Sequence, residues 1–548
     1  MSHEQNIAGF LTSKDSKALV ITGGAGTGKT TLIKTIIEQL NQTQRDYYLL
    51  APTGRASLNL HRHVSSITNV SAQTIHSFLY EKIEEDNEDV VSFRIADDEM
   101  PSNAVIIIDE ASMLSHEKTH SEYLKFGSGN VFQDLLKYLK LSENGRQLIL
   151  IGDPYQLPPV NVNIAKVLQP EFLTENKITN VQSIHLDKVY RQAEASKVLQ
   201  NATALRKQIE AQDFTQFPVV ADGSEIISVS MDEAVKSYLW DMNDAIFVAY
   251  TNREVLSINL AFRELCCFEP NTLEKKEPLV LMQNTYIDDT KYFNGDVFTV
   301  EAVGREENFN YPIKDSDGKT HDIKISFTDV RLLHTASHTL INTKVLSHKL
   351  WEDSPEVTRF EQQALMINFV QRHRHLGRGT PEYKRALRQD DYFNALFVKF
   401  GYALTCHKAQ GGEWSKVYIS LNRPQNDLKT RAGFSWSYTA LTRARSQAYV
   451  VGLPKVRAFN PDRPFEFLTT DVQQRLLEHG FELTKSKELE YELQLFIKKE
   501  GITSSFKLYR NKKMMISKLM TMNTSKYTED LTQLLKQFEG YSLVEAQA

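Results

Sequence analysis

The chain has 548 residues, of which 41% are hydrophobic and 24% are charged, and its formal net charge is −5. This composition is ordinary for a soluble globular protein with room for about three or four domains, and the acidic balance argues against a protein that coats nucleic acid. No apolar run approaches the length of a membrane span, the N-terminus lacks signal-peptide features, and the three cysteines lack metal-ligand spacing. We therefore expect a cytoplasmic protein without a membrane partner.

The first motif is a glycine-rich loop between a predicted strand and a predicted helix. Residues 23–30, GGAGTGKT, fit the phosphate-binding pattern G-x-x-x-x-G-K-[ST]. Backbone amides of such a loop and the helix dipole favour phosphate, so Lys29 is expected to reach the β- and γ-phosphates of ATP and the Thr30 hydroxyl to hold Mg²⁺. The alternative, a glycine-rich turn in an unrelated protein, is disfavoured by the flanking runs 18–22 and 31–37. The residues expected around the phosphates are Gly24, Ala25, Gly26, Thr27, Gly28, Lys29, Thr30 and Thr31.

A β-hairpin is predicted over residues 78–95. Two runs of β-forming residues flank a polar centre at residues 85–89, as in a hairpin with an exposed turn.

A pair of carboxylates follows the next predicted strand. The continuous apolar run 104–108 predicts a strand buried on both faces of a parallel sheet, and Asp109 and Glu110 come directly after it. Ligands bind at this end of the strands in such sheets. We expect Asp109 to hold the Mg²⁺ through water and Glu110 to orient and deprotonate the attacking water. A salt-bridged acidic pair is the alternative, which the preceding phosphate loop disfavours.

Three later segments, 148–160, 400–413 and 438–451, also join an apolar run to polar and small residues. Gln156, in the first of them, is a candidate sensor of the γ-phosphate. One such segment alone would indicate a turn, but the ordered series indicates an enzyme that uses the nucleotide to do work.

Two regions lie outside this pattern. In the first, short strands of a small barrel are predicted at 279–282, 297–300 and 323–327, a tight turn at Asn294-Gly295, and basic helical residues at 372–375 and 384–388. Those basic residues indicate either contact with a nucleic-acid backbone or a solvated helix face. In the second, helices are predicted at 489–497 and 531–538, with a strand at 506–509 in a locally basic tail. The basic residues of this tail are equally consistent with DNA binding, partner binding or a solvated appendage.

Taken together, the motifs resemble those of superfamily 1 helicases, in the B branch that contains the RecD, Dda and Pif-like proteins. In the order Ia, Ib, II, III, IV, V and VI, the matching segments are 51–56, 74–77, 109–112, 152–160, 190–192, 405–413 and 439–445. The resemblance covers about residues 4–453, and segments 247–252 and 293–296 make the phage Dda type the nearest within the branch.

The resemblance implies an α/β fold with two RecA-like parallel-sheet domains and ATP in the cleft between them. The first domain would span 1–184 with a β-hairpin pin insert at 79–101, and the second 185–262 and 395–455, interrupted by an SH3-like insert with a helical excursion at 263–394. Residues 465–548 would form a C-terminal α+β extension without a counterpart in the family.

It also implies roles for residues that carry little signal alone. Arg191 and Arg443 would reach across the cleft to the γ-phosphate, Tyr190 would stack on the adenine, Gln5 would contact its edge, and Glu413 would join the nucleotide site. A surface salt bridge is the common alternative for either arginine. The single-strand track would consist of small polar and cationic residues that contact phosphate without specifying sequence. They are Pro52, Thr53, Thr74, His76, Thr251, Asn252, Thr405, His407 and Lys408.

The implied activity is ATP-dependent DNA unwinding by alternating closure of the two domains, with 5′ to 3′ movement on single-stranded DNA, in replication, repair or recombination. The expected partners are single-stranded DNA, junctions of single and double strands, and a replication or repair protein bound by 465–548. We expect a monomer in a bacterial or phage-infected cell. The acidic hairpin centre favours a strand-separating wedge, with an ordinary solvated hairpin as the alternative. A single-strand translocase or nucleotide-gated clamp without strong unwinding is the rival activity; a small-molecule kinase is disfavoured by His407 and Arg443.

Overall fold

The protein is described by a computed structural model. It describes residues 3–82, 91–118, 124–159, 162, 164–187, 196–287, 290–315, 317–423, 425–453, 465–511 and 516–539. The chain divides into two compact units, Met1–Leu453 and Pro454–Ala548. The predicted hairpin centre at 85–89 and the predicted nucleotide contacts Tyr190 and Arg191 lie outside the described residues.

A six-stranded parallel sheet forms the first part of the larger unit. Its strands, in spatial order, are Gln73–Thr74, Tyr47–Ala51, Val105–Ile108, Gln147–Gly152, Ala18–Gly23 and Val181–Leu186. Its helices are His3–Thr12, Lys29–Gln42, Gly54–Val64, Ile75–Leu79, Val131–Leu139 and Pro170–Glu175, with 3-10 turns at Ala111–Met113 and Lys166–Leu168. Apolar cores lie on both faces of the sheet, which explains why the strand Val105–Ile108 is apolar at every position.

A small sheet next to this core contains the predicted hairpin. Tyr80–Lys82 pairs antiparallel with Val91–Ile95, and Leu124–Phe126 joins the second strand in parallel. The rings of Phe93 and Phe126 stack at 4.4 Å, so the base of the hairpin is fixed to the first sheet's core through these aromatic residues.

A second parallel sheet follows in the chain. Its five strands, in spatial order, are Ile226–Val229, Ala444–Val451, Trp414–Ser420, Ala245–Ala249 and Ala403–Thr405. Its helical segments are Lys197–Ala211, Met231–Asp241, Asn252–Leu265, Cys406–Ala409, Gln425–Leu428 and Arg431–Leu441, with a 3-10 turn at Met242–Asp244.

An antiparallel sheet shares a core with this second parallel sheet. Its strands, in spatial order, are Leu340–Leu346, Thr320–His334, Val297–Lys314, Pro278–Leu281 and Val398–Phe400, beside a hairpin of Thr285–Ile287 and Thr290–Tyr292. Helices Arg359–Arg372 and Pro381–Gln389 and a 3-10 turn Ser347–Trp351 accompany it. Residues of both sheets, among them Phe247 and Phe298, belong to one buried cluster.

One prediction for this insert needs correction. The strands predicted as short at 297–300 and 323–327 are parts of strands of 18 and 15 residues, which pair with each other over most of their length. Among the predicted basic residues, Arg372 is half-buried and makes a bidentate ion pair with Asp390 at 2.6 and 2.7 Å, whereas Arg374 is exposed. The predicted turn is present, with Gly295 at φ +96° and a Phe293–Asp296 turn bond of 2.9 Å.

The C-terminal unit is a four-stranded antiparallel sheet between two helices in the chain. Its elements are Glu466–Glu478, Glu482–Glu488, Glu492–Lys499, Ile502–Arg510, Ile516–Thr521 and Thr528–Lys536. The helix predicted at 489–497 is wrong, because apolar residues alternate along Glu492–Lys499 and pack one strand face into the core. The predicted helix at 531–538 and strand at 506–509 are present.

The α/β fold with two parallel sheets is therefore confirmed, whereas an SH3-like closure of the insert and the domain boundaries stay predictions. Among the helices that the structure describes, none combines the length and the apolar character that crossing a membrane requires.

Candidate functional site

The glycine-rich loop lies at the carboxyl end of strand Ala18–Gly23, directly before the helix that begins at Lys29. Gly28 has φ +88°, a backbone conformation that residues other than glycine rarely adopt, and this lets the chain turn into the helix. Lys29 Nζ donates to the carbonyls of Gly23 and Gly24 at 2.7 and 2.9 Å. The Lys29 side chain thus hydrogen-bonds the backbone of its own loop.

Two strand-end carboxylates lie near this loop. Strand Gln147–Gly152 is the direct neighbour of Ala18–Gly23, so Asp153 comes closest, with its Oδ2 3.9 Å from Lys29 Nζ. Asp109 follows the next strand, and burial, aided by the neighbouring Glu110, raises its pKa to about 7. Glu110 has φ +50°, and its buried Oε2 has no hydrogen-bond partner among the described residues. This orphaned oxygen suits a base that needs a water.

Tyr438, on helix Arg431–Leu441 beside the second parallel sheet, contacts the loop directly. Its hydroxyl accepts a hydrogen bond from the Ala25 amide at 2.7 Å and donates one to Asp153 at 2.6 Å. The side chain is 1% exposed, and burial together with Asp153 raises its pKa well above the ordinary value. One buried hydroxyl therefore joins the two parallel sheets at an amide of the kind that binds phosphate.

Arg206 is a second residue of this region that the sequence did not single out. It lies on helix Lys197–Ala211, and its Nη1 is 3.0 Å from the place that a Cβ on Gly24 would take. Its Nε lies 3.6 Å from Glu210 and has no hydrogen-bond partner among the described residues. Arg206 thus places a cation against the loop from the second sheet.

Arg443, by contrast, points into its own segment. The buried guanidinium donates to the carbonyls of Thr439 and Gly412 at 3.1 and 3.2 Å and to Thr442 Oγ1 at 3.2 Å. Its predicted contact with the γ-phosphate requires these bonds to break and stays a proposal.

The turn after Asp153 connects the two sheets. The amide of Leu157 donates to Thr439 Oγ1 and its carbonyl accepts from Gln410 Nε2, both at 2.8 Å. Gln156, the predicted phosphate sensor, is buried, and its Oε1 lacks a partner among the described residues. The turn is therefore held to the second-sheet region through the backbone of Leu157, directly after a glutamine whose buried oxygen lacks a partner among the described residues.

The donor set fits magnesium and a nucleotide phosphate. The Thr30 hydroxyl and the Asp109 carboxylate are oxygen ligands, which Mg²⁺ prefers, and the loop offers backbone amides to the anion. Close packing also explains Gly23, where a Cβ would lie 2.5 Å from Thr27 Oγ1. The remaining nucleotide candidates are peripheral: Gln5 lies on helix His3–Thr12 and is exposed, and Glu413 is exposed directly before strand Trp414–Ser420.

Most predicted single-strand contacts lie at helix N-termini at the strand ends. Thr53, Thr74 and Thr251 cap the helices that begin one residue later, each accepting a hydrogen bond from the third residue onward at 3.1–3.2 Å. Such ends orient backbone amides toward anions. Pro52 and His76 flank the first two caps, and His76 makes an edge-on contact with Phe126.

A cleft between the second parallel sheet and the antiparallel sheet brings three of the other predicted contacts together. Asn252, Thr405 and Lys408 line it, together with Lys399. Burial lowers the pKa of both lysines to about 8, and Lys408 Nζ lies 2.8 Å from Met282 Sδ. The structure thus collects two cations with weakened hydration in one cleft.

His407 is separated from this cleft by its own orientation. It hydrogen-bonds the backbone of Pro158, in the turn after Asp153, and burial lowers its pKa. The predicted track residue therefore contacts the nucleotide-side turn, which links the two candidate sites.

The segment next to Thr53 connects the first sheet to the rest of the unit. Arg55 donates to the carbonyls of Lys408 at 3.3 Å and Gly295 at 3.0 Å, and its guanidinium lies 5.3 Å from the Trp414 ring. Burial lowers its pKa to about 10. One arginine thus joins the first sheet, the second sheet and the insert beside the predicted track.

A group of possible metal ligands in the described part of the chain lies elsewhere. His348, Glu352 and Glu361 are close together, but Lys349 Nζ lies 2.7 Å from Glu352 and 3.0 Å from Glu361. The lysine already neutralises these carboxylates, so the group is an ion-pair cluster.

Two protein-family models match the chain. Residues 5–162 match a family described as an AAA domain, and residues 400–451 match the UvrD-like helicase C-terminal domain. The first match ends in the turn after Asp153, and the second includes Lys408, Tyr438 and Arg443. The two models thus cover the segments that meet at the loop.

Known proteins are similar over most of the chain. It is 23% identical to the uncharacterized protein MJ1519 of Methanocaldococcus jannaschii over 80% of this chain and 37% of that protein. It is 24% identical to the ATP-dependent DNA helicase PIF1 of Emericella nidulans over 86% and 62%, and 28% identical to the ATP-dependent RecD2 DNA helicase of Deinococcus radiodurans over 84% and 51%. The chain thus spans only about one to two thirds of the length of these relatives.

Among solved structures, a Bacteroides Pif1 helicase in complex with ADP-AlF3 and single-stranded DNA is 16% identical, with a TM-score of 0.40, over 88% of this chain and 98% of that one. The expected closeness to the phage Dda type stays a prediction.

Proposed function

Because this chain belongs to the Pif1/RecD-like family of superfamily 1B helicases, we propose that it is an ATP-dependent DNA helicase. It moves 5′ to 3′ on single-stranded DNA and opens duplexes at junctions of single and double strands. ATP and Mg²⁺ are its cofactors, and residues 465–548 offer a surface for a replication or repair partner to a monomeric motor.

The contact of Tyr438 with Ala25 and Asp153 carries this proposal. It places the second sheet against the phosphate loop of the first, so a phosphate that takes the Ala25 amide must displace the hydroxyl. Nucleotide binding and the relation between the sheets are therefore coupled through one hydrogen-bond donor. A small-molecule kinase has no need of this coupling.

The hydrolysis step follows from the side chains around the loop. Lys29 leaves the carbonyls of Gly23 and Gly24 for the phosphates, and the bound Mg²⁺, held by Thr30 and Asp109, would neutralise phosphate charge. Glu110 orients the attacking water and accepts a proton from it, and Gln156 senses the γ-phosphate. Arg443 and Arg191 stabilise the charge that develops on the transferred group, as arginine fingers do.

Strand movement depends on the track residues of both sheets. Thr53, Thr74 and His76 grip the DNA backbone from the first sheet, and Thr251, Asn252, Thr405, His407 and Lys408 grip it from the second. Because these groups contact phosphates, each nucleotide offers an equivalent hold. Alternation of grip with nucleotide occupancy moves the strand, and the hairpin at 79–101 separates the duplex.

Two variants test the chemistry. Lys29→Ala removes phosphate binding and Glu110→Gln removes the base, so both should lose DNA-stimulated ATP hydrolysis, by roughly 100-fold or more for the base. Glu110→Gln should still bind a labelled ATP analogue, which separates loss of chemistry from loss of folding. Normal hydrolysis by Glu110→Gln would refute the assignment of the base.

Strand displacement tests the work done. A partial duplex with a single-stranded tail should be separated by the wild-type protein under single-turnover conditions with ATP. DNA-stimulated hydrolysis without separated strands would instead identify a translocase or a nucleotide-gated clamp.

A further inference from the structure

The sheet of the C-terminal unit has one covered face and one open face. Leu493, Leu495 and Ile497 on the second strand, and Phe506 and Leu508 on the third, are at most 1% exposed and pack with the two helices. Alternate residues of the same strands point the other way. The side chains of this second face are exposed or half-buried for the most part.

Lysines dominate the open face. In the pairing register, Lys487, Gln494, Lys507 and Met520 form one row across all four strands. Neighbouring rows pair Lys485 with Phe496, Lys498 with Glu482 and Thr503, and Tyr509 with Glu492 and Lys518. The face therefore carries five lysines against two glutamates, an excess of three positive charges in a chain whose net charge is −5.

The charge of this face is only partly neutralised within the unit. Lys507 Nζ pairs with Glu492 at 3.1 Å, whereas Lys485 lies over the Phe496 ring at 6.0 Å. Lys487, Lys498 and Lys518 are exposed on three different strands. A spread of exposed cations on one face of an otherwise acidic chain is complementary to a polyanion.

Two aromatic rings lie among these lysines, on the two central strands. Phe496 is on Glu492–Lys499 and Tyr509 on Ile502–Arg510, and both are partly exposed. Tyr509 is opposite Glu492, four residues from Phe496, so the rings are separated by about 13 Å along the strands. Each ring can therefore stack on a different base. Aromatic side chains on a sheet face stack on bases that are not paired.

We propose that this open face binds single-stranded nucleic acid, with bases stacked on Phe496 and Tyr509 and the phosphates held by the surrounding lysines. A single strand is favoured over a duplex because only unpaired bases expose their faces to the rings. An acidic protein segment would match the lysines but would leave the two rings without a stacking partner. The site is separate from the motor motifs and does not depend on the proposed function.

Lysine footprinting on the full chain tests the face residue by residue. The protein is acetylated with and without an oligodeoxythymidylate of about 16 nucleotides, an oligouridylate of the same length, or polyglutamate, and modified lysines are quantified by mass spectrometry. We expect both oligonucleotides to reduce modification of Lys487, Lys498 and Lys518 severalfold. Lys536, exposed on helix Thr528–Lys536 of the same unit, is the internal control and should not change.

Every outcome bears on the proposal. Protection by either oligonucleotide that exceeds protection by polyglutamate supports it, and the stronger of the two oligonucleotides identifies the sugar. Protection by polyglutamate alone, equal protection by all three polyanions, or no protection overturns it, the first in favour of an acidic protein partner. No ATP is needed, so failure of the proposed ATPase does not affect the result.

Photo-crosslinking tests the rings. Ultraviolet crosslinks between the oligodeoxythymidylate and peptides of residues 492–510 are expected, and the double variant Phe496→Leu/Tyr509→Leu should lower their yield at least fivefold. Tyr509→Phe keeps a ring and should retain the yield, which separates stacking from a general effect on folding. Crosslinks that are confined to the motor unit, or that persist in the leucine variant, overturn the proposal.

Discussion

Tyr438 is the residue at which nucleotide and sheet arrangement meet. Its hydroxyl accepts a hydrogen bond from the Ala25 amide and donates one to the Asp153 carboxylate. That amide is one of those we propose to bind the phosphate of a nucleotide. A net hydrogen bond is worth about 1 kcal/mol, which corresponds to roughly a fivefold change in affinity. In the proposed function, Tyr438 would therefore oppose nucleotide binding modestly and would transmit that binding to the second sheet.

Replacing Tyr438 with Phe should separate these two effects. We expect a labelled ATP analogue to bind roughly fivefold more tightly, because the amide is released, while the maximal DNA-stimulated turnover falls. Fluorescence anisotropy and steady-state hydrolysis measure the two quantities. Tyr155→Phe is the matched control, since the Tyr155 ring lies 6.2 Å from that of Tyr438 but its hydroxyl bonds Glu210. Unchanged or weaker nucleotide binding by Tyr438→Phe would contradict the competition.

Arg206 places a cation against the phosphate loop, with its Nη1 3.0 Å from the place that a Cβ on Gly24 would take. Arg206→Gln should raise the KM for ATP by about tenfold, because a charge-assisted bond to a phosphate is lost, while Arg206→Lys should recover part of the loss. Steady-state hydrolysis over a range of ATP concentrations measures the effect. A variant that lowers only stability, seen as a lower Tm with an unchanged KM, would show that Arg206 merely packs against Gly24.

Lys408 predicts a pH dependence of DNA binding. Its pKa of about 8 lies below the ordinary value because the ammonium is buried, and a DNA phosphate would favour the charged form. Affinity for single-stranded DNA should therefore be constant below about pH 8 and fall roughly tenfold by pH 9, since binding must then take up a proton. Lys408→Arg remains charged over this range.

The test is a titration of a labelled oligothymidylate between pH 7 and pH 9.5 at fixed ionic strength. The arginine variant should lose most of the decline, and an equal decline in both proteins would refute the role of Lys408.

At the scale of elements, the hairpin at 79–101 is the one whose removal should uncouple hydrolysis from unwinding. Its base is fixed by the pairing of Tyr80–Lys82 with Val91–Ile95 and by the stacked rings of Phe93 and Phe126. That attachment lies in the first sheet's core and apart from the phosphate loop. The hairpin can therefore act on the duplex without contributing to the chemistry.

Deleting residues 85–89 should leave single-strand-stimulated hydrolysis intact and reduce strand separation. Opening a base-pair step takes about 1–2 kcal/mol, so a motor without a wedge depends on spontaneous fraying. ATPase and strand-displacement assays on the same protein measure the two activities. Equal loss of both would make the hairpin a folding element or a DNA grip, and no loss of either would place the wedge elsewhere.

At the scale of the whole molecule, the regions of the two parallel sheets meet at the phosphate loop, and the antiparallel insert lines a cleft together with the second sheet. Gly411 adapts to this closeness, with φ +73° and a hypothetical Cβ only 2.9 Å from Ala56 of the first sheet. Arg55, Gly411 and Tyr438 each contact the region of the other parallel sheet. Movement of one sheet relative to the other must therefore change contacts at both candidate sites. This is the arrangement that a stepping motor needs.

The most informative single experiment on this protein measures the direction in which it moves along single-stranded DNA. Partial duplexes with either a 5′ or a 3′ single-stranded tail should be compared in one strand-displacement experiment. We expect unwinding from the 5′ tail, because the motifs of the chain resemble those of the B branch. Unwinding only from the 3′ tail would refute the direction assigned here.

Elements that depend only on neighbouring residues can be predicted from the amino-acid sequence alone. The glycine loop, the strand Val105–Ile108 with its two carboxylates, and the Asn294-Gly295 turn depend on neighbouring residues, so spacing and residue type sufficed. Asp153 has the same signal as Asp109, a carboxylate after a buried strand, and could have been assigned on that ground. The alternation of apolar residues in Glu492–Lys499 is equally visible in the sequence and indicates the strand that the structure has in place of the predicted helix.

Which distant residues lie together in one site is seen only in the tertiary structure. Ala25 and Tyr438 are 413 positions apart in the chain, and nothing in either neighbourhood specifies their contact. Arg206 is one of many helical arginines until the fold places its helix over Gly24, and Arg443 is bound by its own segment because nearby carbonyls are available. Likewise, lysines of four separate strands form one face only because the antiparallel register aligns them. Sequence patterns indicate local conformation and burial, whereas contacts between residues far apart in the chain depend on how the whole chain folds.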